Sequence, residues 1–173
     1  MPAHVTTAAL RRPATFRWSS EEYEALVASG TFPEDLRLEL IDGTLTERIP
    51  KDPRHDTVLH RLMLAVARRV ARSHPSRTES EVALAPGSPG TVVQPDLYVA
   101  RAKPGAFDER RPEGHDLLLV VEVSRSSLKR DLGEKRELYA AAGVPEYWVI
   151  DAEGDILDHD LLGEVDVASL VKG

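Results

Sequence analysis

Apolar and polar positions recur along this chain in two periods, and the switches between them mark out its elements. Over 56–72 the apolar residues Val58, Leu59, Leu62, Met63, Val66, Ala67 and Val70 return at helical spacing, which predicts an amphipathic helix stopped by His74-Pro75. A shorter helix is expected over 19–27, where Ser19 and Ser20 can cap, Glu21 and Glu22 suit the positive end of the helix dipole, and Gly30 closes the segment. Residues 37–47 read as a hairpin whose Asp42-Gly43 pair tolerates the positive φ of a tight turn. Strands are then expected over 81–85, 92–100 and 117–124, the last continuously apolar from Leu117 to Val121, as in a sheet covered on both faces. Residues 128–142 read as a helix closed by Gly143, and 146–151 (EYWVID) as another buried strand. This order predicts an α/β or α+β architecture with no internal repeat.

The 173 residues are enough for one domain, expected over 18–173 behind a loose leader at 1–17. Hydrophobic residues make up 42% and charged residues 29%, an ordinary globular balance. No apolar run approaches a membrane span, no secretory pattern opens the chain, and a cytoplasmic location is expected. Cysteine is absent, which excludes disulfides, thiolate metal sites and cysteine nucleophiles. The net charge of −7 argues against nucleic-acid affinity from bulk charge alone, so such affinity would have to come from local basic stripes.

No phosphate-binding glycine loop, dinucleotide fingerprint, HExxH helix or nucleophile elbow is present. Two strand candidates instead carry an acid among aliphatic neighbours, Asp96 in VQPDLYV and Glu122 in VVEVS. Acids are depleted in strands and rarely buried unless paired or metal-bound. Two readings stand side by side: solvated strand ends or arginine pairs, or two carboxylates converging on a divalent cation that relieves their repulsion. Oxygen donors with open positions suit Mg²⁺ or Mn²⁺ rather than Zn²⁺. On the next helix Asp131 and Lys135 lie four apart, which by itself reads as a surface ion pair worth about 0.3–0.5 kcal/mol. Tyr147 and Trp148 are read as core rather than as base-stacking groups, and Ser124, Ser126 and Ser127 as caps of the following helix.

Five ordered blocks, RLELIDG at 37–43, VVQPDL at 92–97, VVEVS at 120–124, DLGEKRELY at 131–139 and GVPEYWVID at 143–151, resemble the Uma-type endonuclease family of the PD-(D/E)XK superfamily. The resemblance implies a restriction-endonuclease-like mixed sheet flanked by helices and a Mg²⁺-dependent (or Mn²⁺-dependent) DNA endonuclease. It implies Asp96 and Glu122 as metal ligands with the Val123 carbonyl as a third, and Glu39 as the acid that holds a metal-bound water. The third position of the E-x-K element is Ser124 rather than lysine, so the lysine is expected from the next helix as Lys135, with Lys129 the lesser candidate. Asp131 is expected to orient it. His55 falls where the family also carries histidine, and a solvated helix-start histidine is the competing reading.

Arg125, Lys129, Arg130 and Arg136 are the expected DNA contacts, whereas Arg61, Arg68, Arg69, Arg72 and Arg77 read as solvated faces. RNA remains a second candidate substrate and a homodimer a candidate state. The rival reading is a nuclease fold kept as a non-catalytic nucleic-acid-binding or assembly module, which the missing strand lysine and the acidic balance favour. The short tail after Ile156 to Leu162 puts the last hairpin of the family pattern in question.

Overall fold

Asp42 and Gly43 turn the first hairpin with φ of 45° and 70°, the left-handed pair that matches strand twist. They join β1 (Leu38–Ile41) to β2 (Thr44–Glu47), with Leu40 opposite Leu45. The computed structural model describes residues 15–33, 35–48, 50–70, 76–78, 80–87, 89–101, 105–152 and 156–159. The proposed leader up to residue 14, the His74-Pro75 helix stop, Arg72 and the tail from residue 160 lie outside them.

Helix α1 (Ser20–Ala28) starts on a capping box: Ser19 Oγ accepts from the Glu22 amide and the Glu22 carboxylate accepts from the Ser19 amide. The long helix α2 (Pro53–Val70) follows β2. The remaining strands are β3 (Ser76–Thr78), β4 (Val82–Ala85), β5 (Thr91–Val93), β6 (Leu97–Ala100), β7 (Leu117–Ser124), β8 (Glu146–Asp151) and β9 (Ile156–His159). Between β7 and β8 runs a helical segment in three parts: α3 (Leu128–Arg130), a π turn (Asp131–Lys135) and α4 (Arg136–Ala141).

The strands form two sheets, a four-stranded one in the order β2-β1-β5-β4 and a five-stranded one in the order β3-β6-β7-β8-β9. The larger is mixed, because β7 and β8 run parallel while the other neighbours are antiparallel. The single strand expected over 92–100 is thus two strands in different sheets. Pro95 cannot donate to a ladder, and the chain changes sheets across Gln94-Pro95-Asp96. Strand β3 had no alternating pattern to reveal it, and β9 pairs with β8, so the final hairpin is present.

Strand β7 is buried on both faces, as its aliphatic run requires. Leu119, Val121 and Val123 face the α2 side with Val58, Leu59, Leu62, Val66, Trp148 and Ile150. Val120 faces the other side, where Tyr139, Tyr147 and Val149 meet Ile41, Val82 and Val93 of the smaller sheet. Tyr147 and Trp148 are core residues, as read from the sequence. Leu62 has no exposed surface, so Leu62→Ala is expected to lower stability in urea unfolding by about 2–5 kcal/mol.

Candidate active site

Where the chain passes from one sheet to the other, Asp96 stands one residue before Leu97, whose register partner is Val121. Continuing that antiparallel register brings Asp96 beside Glu122. On the far side of β7 the helical segment after Ser127 turns Asp131 and Lys135 inward, so four buried charged groups gather at one end of the larger sheet. A cleft opens there, lined by Asp96, Glu122, Val123, Asp131 and Lys135 together with Arg48, Lys51, Asp52, His55, Arg125 and Arg130. Five of these described lining side chains are Lys or Arg and four are carboxylates, so the cleft is more basic than a chain of net charge −7 suggests.

Both oxygens of Asp96 are engaged. Oδ1 accepts from Lys51 Nζ at 2.5 Å, with Arg48 Nη2 at 3.5 Å, while Oδ2 accepts from the Val123 amide at 2.8 Å and lies 2.9 Å from His55 Nε2. Burial would raise this carboxyl, but the His55 hydrogen bond and the Lys51 charge outweigh it and hold it well below the usual carboxylate range. His55 is only 6% exposed, so it is a buried partner of Asp96 rather than a solvated helix-start residue. Its pKa is raised, burial being overcome by the hydrogen bond and charge of Asp96.

Glu122 is held differently. Lys135 Nζ and the Tyr139 hydroxyl both donate to Oε1 at 2.8 Å, and among the described residues Oε2 has no hydrogen-bond donor. Burial, only partly opposed by Lys135 and reinforced by Asp96, Asp131 and Glu39, pushes its carboxyl up to about 7. Lys135 is 4% exposed and lies 3.3 Å from Glu39 Oε1 as well. Burial would lower its pKa, but the two glutamates raise it above the ordinary lysine value, so it is an ammonium.

Glu39 does not line the cleft. It accepts from the Gln94 amide at 3.0 Å and from Arg130 Nη2 at 2.9 Å, with Arg48 Nε at 3.7 Å and Lys135 Nζ at 3.3 Å, and so anchors three cations, Arg48, Arg130 and Lys135, from behind. Burial is outweighed by Lys135 and these partners, which lower its carboxyl. Asp131 makes no ion pair with Lys135. Its Oδ2 accepts instead from the Ser124 hydroxyl and from the Ser127 hydroxyl at 2.6 Å. Ser127 stands at the N-cap of α3, but neither serine hydroxyl caps the helix, contrary to the sequence expectation.

Of the expected DNA contacts, Arg125 and Arg130 line the cleft, whereas Lys129 and Arg136 are exposed away from it. Arg61 and Arg68 are exposed on α2, and Arg77 on β3 faces Asp108 at 3.5 Å; Arg69 and Arg72 have no described side chain. The sequence reading missed Arg48, Lys51 and Tyr139. The first two sit in an aperiodic stretch, and a basic residue just before the His55 helix was the available signal. Tyr139 lies one turn after Lys135 on its inward face, and that spacing could have identified it.

A divalent cation at this cleft would have to be held by the donors present. Among the described residues no three His, Asp or Glu side chains close into a cage. Oxygen donors are nevertheless present in the combination hard cations take: two carboxylates on one cleft and the adjacent Val123. Among the described residues Glu122 Oε2 has no protein donor, so that oxygen is open to another partner. The fit requires Lys51 to give up Asp96 Oδ1.

The family model described as "Uma2: Putative restriction endonuclease" matches residues 20–166. No curated protein matches the chain. The crystal structure of "a putative nuclease belonging to DUF820" from Anabaena variabilis ATCC 29413 superposes with a TM-score of 0.58 at 13% identity, over 89% of this chain and 91% of that one. At that identity the likeness is one of fold. Among the described residues no helix is long and apolar enough to cross a membrane.

Proposed function

The chain belongs to the Uma2 family of restriction-endonuclease-like proteins, and we propose that it is a divalent-metal-dependent endonuclease that hydrolyses DNA phosphodiester bonds at this cleft by a PD-(D/E)XK-type mechanism. One observation carries the reading: Asp96 and Glu122 line the same cleft, and Lys135 brings an ammonium to within 2.8 Å of Glu122 although the strand offers Ser124 where the pattern has lysine. Asp96, Glu122 and the Val123 carbonyl would hold the ion, Mg²⁺ or Mn²⁺. Such an ion supplies charge against the scissile phosphate and lowers the pKa of water.

The remaining work falls to the chain's own groups. Lys135 holds its proton beside Glu122 and presents hydrogen-bond donors where a phosphoryl oxygen gains charge. Tyr139, donating to the same Glu122 oxygen, leaves Oε2 directed to other partners. His55 and the Val123 amide fix the Asp96 carboxylate from the side away from Lys51. Arg125 and Arg130 at the cleft wall suit the neighbouring phosphates of the backbone, and Glu39 keeps Arg130 and Lys135 in place. A local cluster of this kind allows an acidic protein to bind a polyanion.

The test is incubation of the protein with supercoiled plasmid, linear duplex, single-stranded DNA and RNA in Mg²⁺, Mn²⁺ or EDTA. Cleavage of DNA in either metal and none in EDTA is expected. Absence of cleavage of every DNA form in both metals would contradict the proposal, and cleavage of RNA alone would reassign the substrate.

A further inference from the structure

Asp131 is a carboxylate 2% exposed that forms no ion pair with a cation among the described residues, which is costly unless other groups satisfy it. Two hydroxyls do so, Ser124 from the end of β7 and Ser127 from the loop after it. A third group reaches the same residue from β8: the Tyr147 hydroxyl donates to the Asp131 carbonyl at 2.9 Å. Asp131 is therefore tied, side chain and backbone, to the two parallel central strands. It is also the first residue of the π turn that ends at Lys135.

The π turn has a geometric consequence. In an uninterrupted α-helix residues four apart drift by about 40° around the axis and residues eight apart by about 80°. The wider turn takes back that drift, and Asp131, Lys135 and Tyr139 all end up buried on the side facing β7, while Leu132, Glu134, Arg136 and Glu137 are exposed. Lys135 and Tyr139 can then both reach Glu122 Oε1. Single π turns are disfavoured and persist where something holds them.

We infer that Asp131, clamped by Ser124, Ser127 and Tyr147, is the positioning residue that sets the π turn and so delivers the Lys135 ammonium to Glu122. On this view Ser124, at the strand position lacking the lysine, anchors the helix that supplies the replacement. The inference rests on the nuclease reading only for its effect on catalysis; the placement of Lys135 is tested separately.

Two variants, Asp131→Ala and the double variant Ser124→Ala/Ser127→Ala, are compared with wild type by acetylation with an N-hydroxysuccinimide ester and mass spectrometry, with circular dichroism to confirm folding. In wild type the buried Lys135 is expected to react far more slowly than exposed Lys129. In folded variants its rate should rise by at least about tenfold while Lys51 keeps its rate, because only the turn opens. Kinetics on DNA should show kcat down by about 100-fold with KM little changed, and Asp131→Asn, which keeps one acceptor, should recover part of the loss.

Unchanged Lys135 protection in a folded Asp131→Ala protein overturns the inference. If that variant unfolds, exposing Lys51 and Lys135 together, the serine double variant decides by the same criterion. An inactive wild type whose Lys135 labelling still follows the clamp would sink the nuclease reading and leave the clamp standing. An active wild type with labelling indifferent to Asp131 would do the reverse.

Discussion

Glu122→Gln is expected to reduce metal-supported DNA cleavage by at least about 10²- to 10³-fold, the equivalent of several kcal/mol of transition-state stabilisation, while leaving the fold intact. The amide oxygen can keep the hydrogen bonds that Lys135 and Tyr139 make to Oε1, so only the charge and the second carboxylate oxygen are lost. Stability should not fall with activity. The folded protein holds the Glu122 proton up to about 7, above the ordinary carboxylate value, so ionising this group costs stability as pH rises through that range. The variant lacks that cost, and at pH 8 its urea midpoint should match or exceed that of wild type. Asp96→Asn is expected to lose activity as fully. A variant at either position that cleaves at the wild-type rate would remove the assignment of both acids.

Lys135→Met has the opposite balance. It removes the ammonium that sits 2.8 Å from Glu122 and 3.3 Å from Glu39, leaving two buried carboxylates without their shared cation. Breaking a buried pair in this way typically costs about 3–5 kcal/mol, so this variant should be among the least stable at neutral pH as well as inactive. Combining it with Glu122→Gln removes one of the stranded charges and should recover much of the stability but none of the activity. Urea unfolding of the two single variants and the double variant measures the coupling. Additive destabilisation would mean that Lys135 does not serve Glu122. The contrast would also separate the proposed roles, Glu122 kept at a cost to stability and Lys135 serving both fold and site.

Much of this was legible because strong local signals agree with the fold. The aliphatic run of β7 announced a strand buried on both faces, and an acid embedded in it was anomalous enough to mark Glu122. Asp96 was found the same way, although the sheet change beside it was not: Pro95 and one continuous alternating pattern read as a single strand, and only tertiary pairing separates β5 from β6. Asp42-Gly43 and Gly143 fixed their turns through backbone requirements that few other residues meet, and both carry positive φ at the glycine. What sequence could not supply was side-chain partnership. Asp131 and Lys135 sit at helical ion-pair spacing, yet a π turn sends one to two serines and the other to two glutamates. Arg48 and Lys51 lie in an aperiodic connection, where no pattern says which way a side chain will point. Only the family resemblance points to Glu39, as an acid holding a metal-bound water; the structure instead sets it outside the cleft lining, against Lys135, Arg48 and Arg130.

The central claim is that Asp96 and Glu122 together hold one hard cation at the cleft. It is tested most directly by titrating Mn²⁺ into the protein and following loss of the free aquo-ion signal by electron paramagnetic resonance. The account predicts uptake by wild type that Mg²⁺ competes away and that either Asp96→Asn or Glu122→Gln abolishes. Equal uptake by wild type and both variants, or none by wild type at millimolar Mn²⁺, would contradict it.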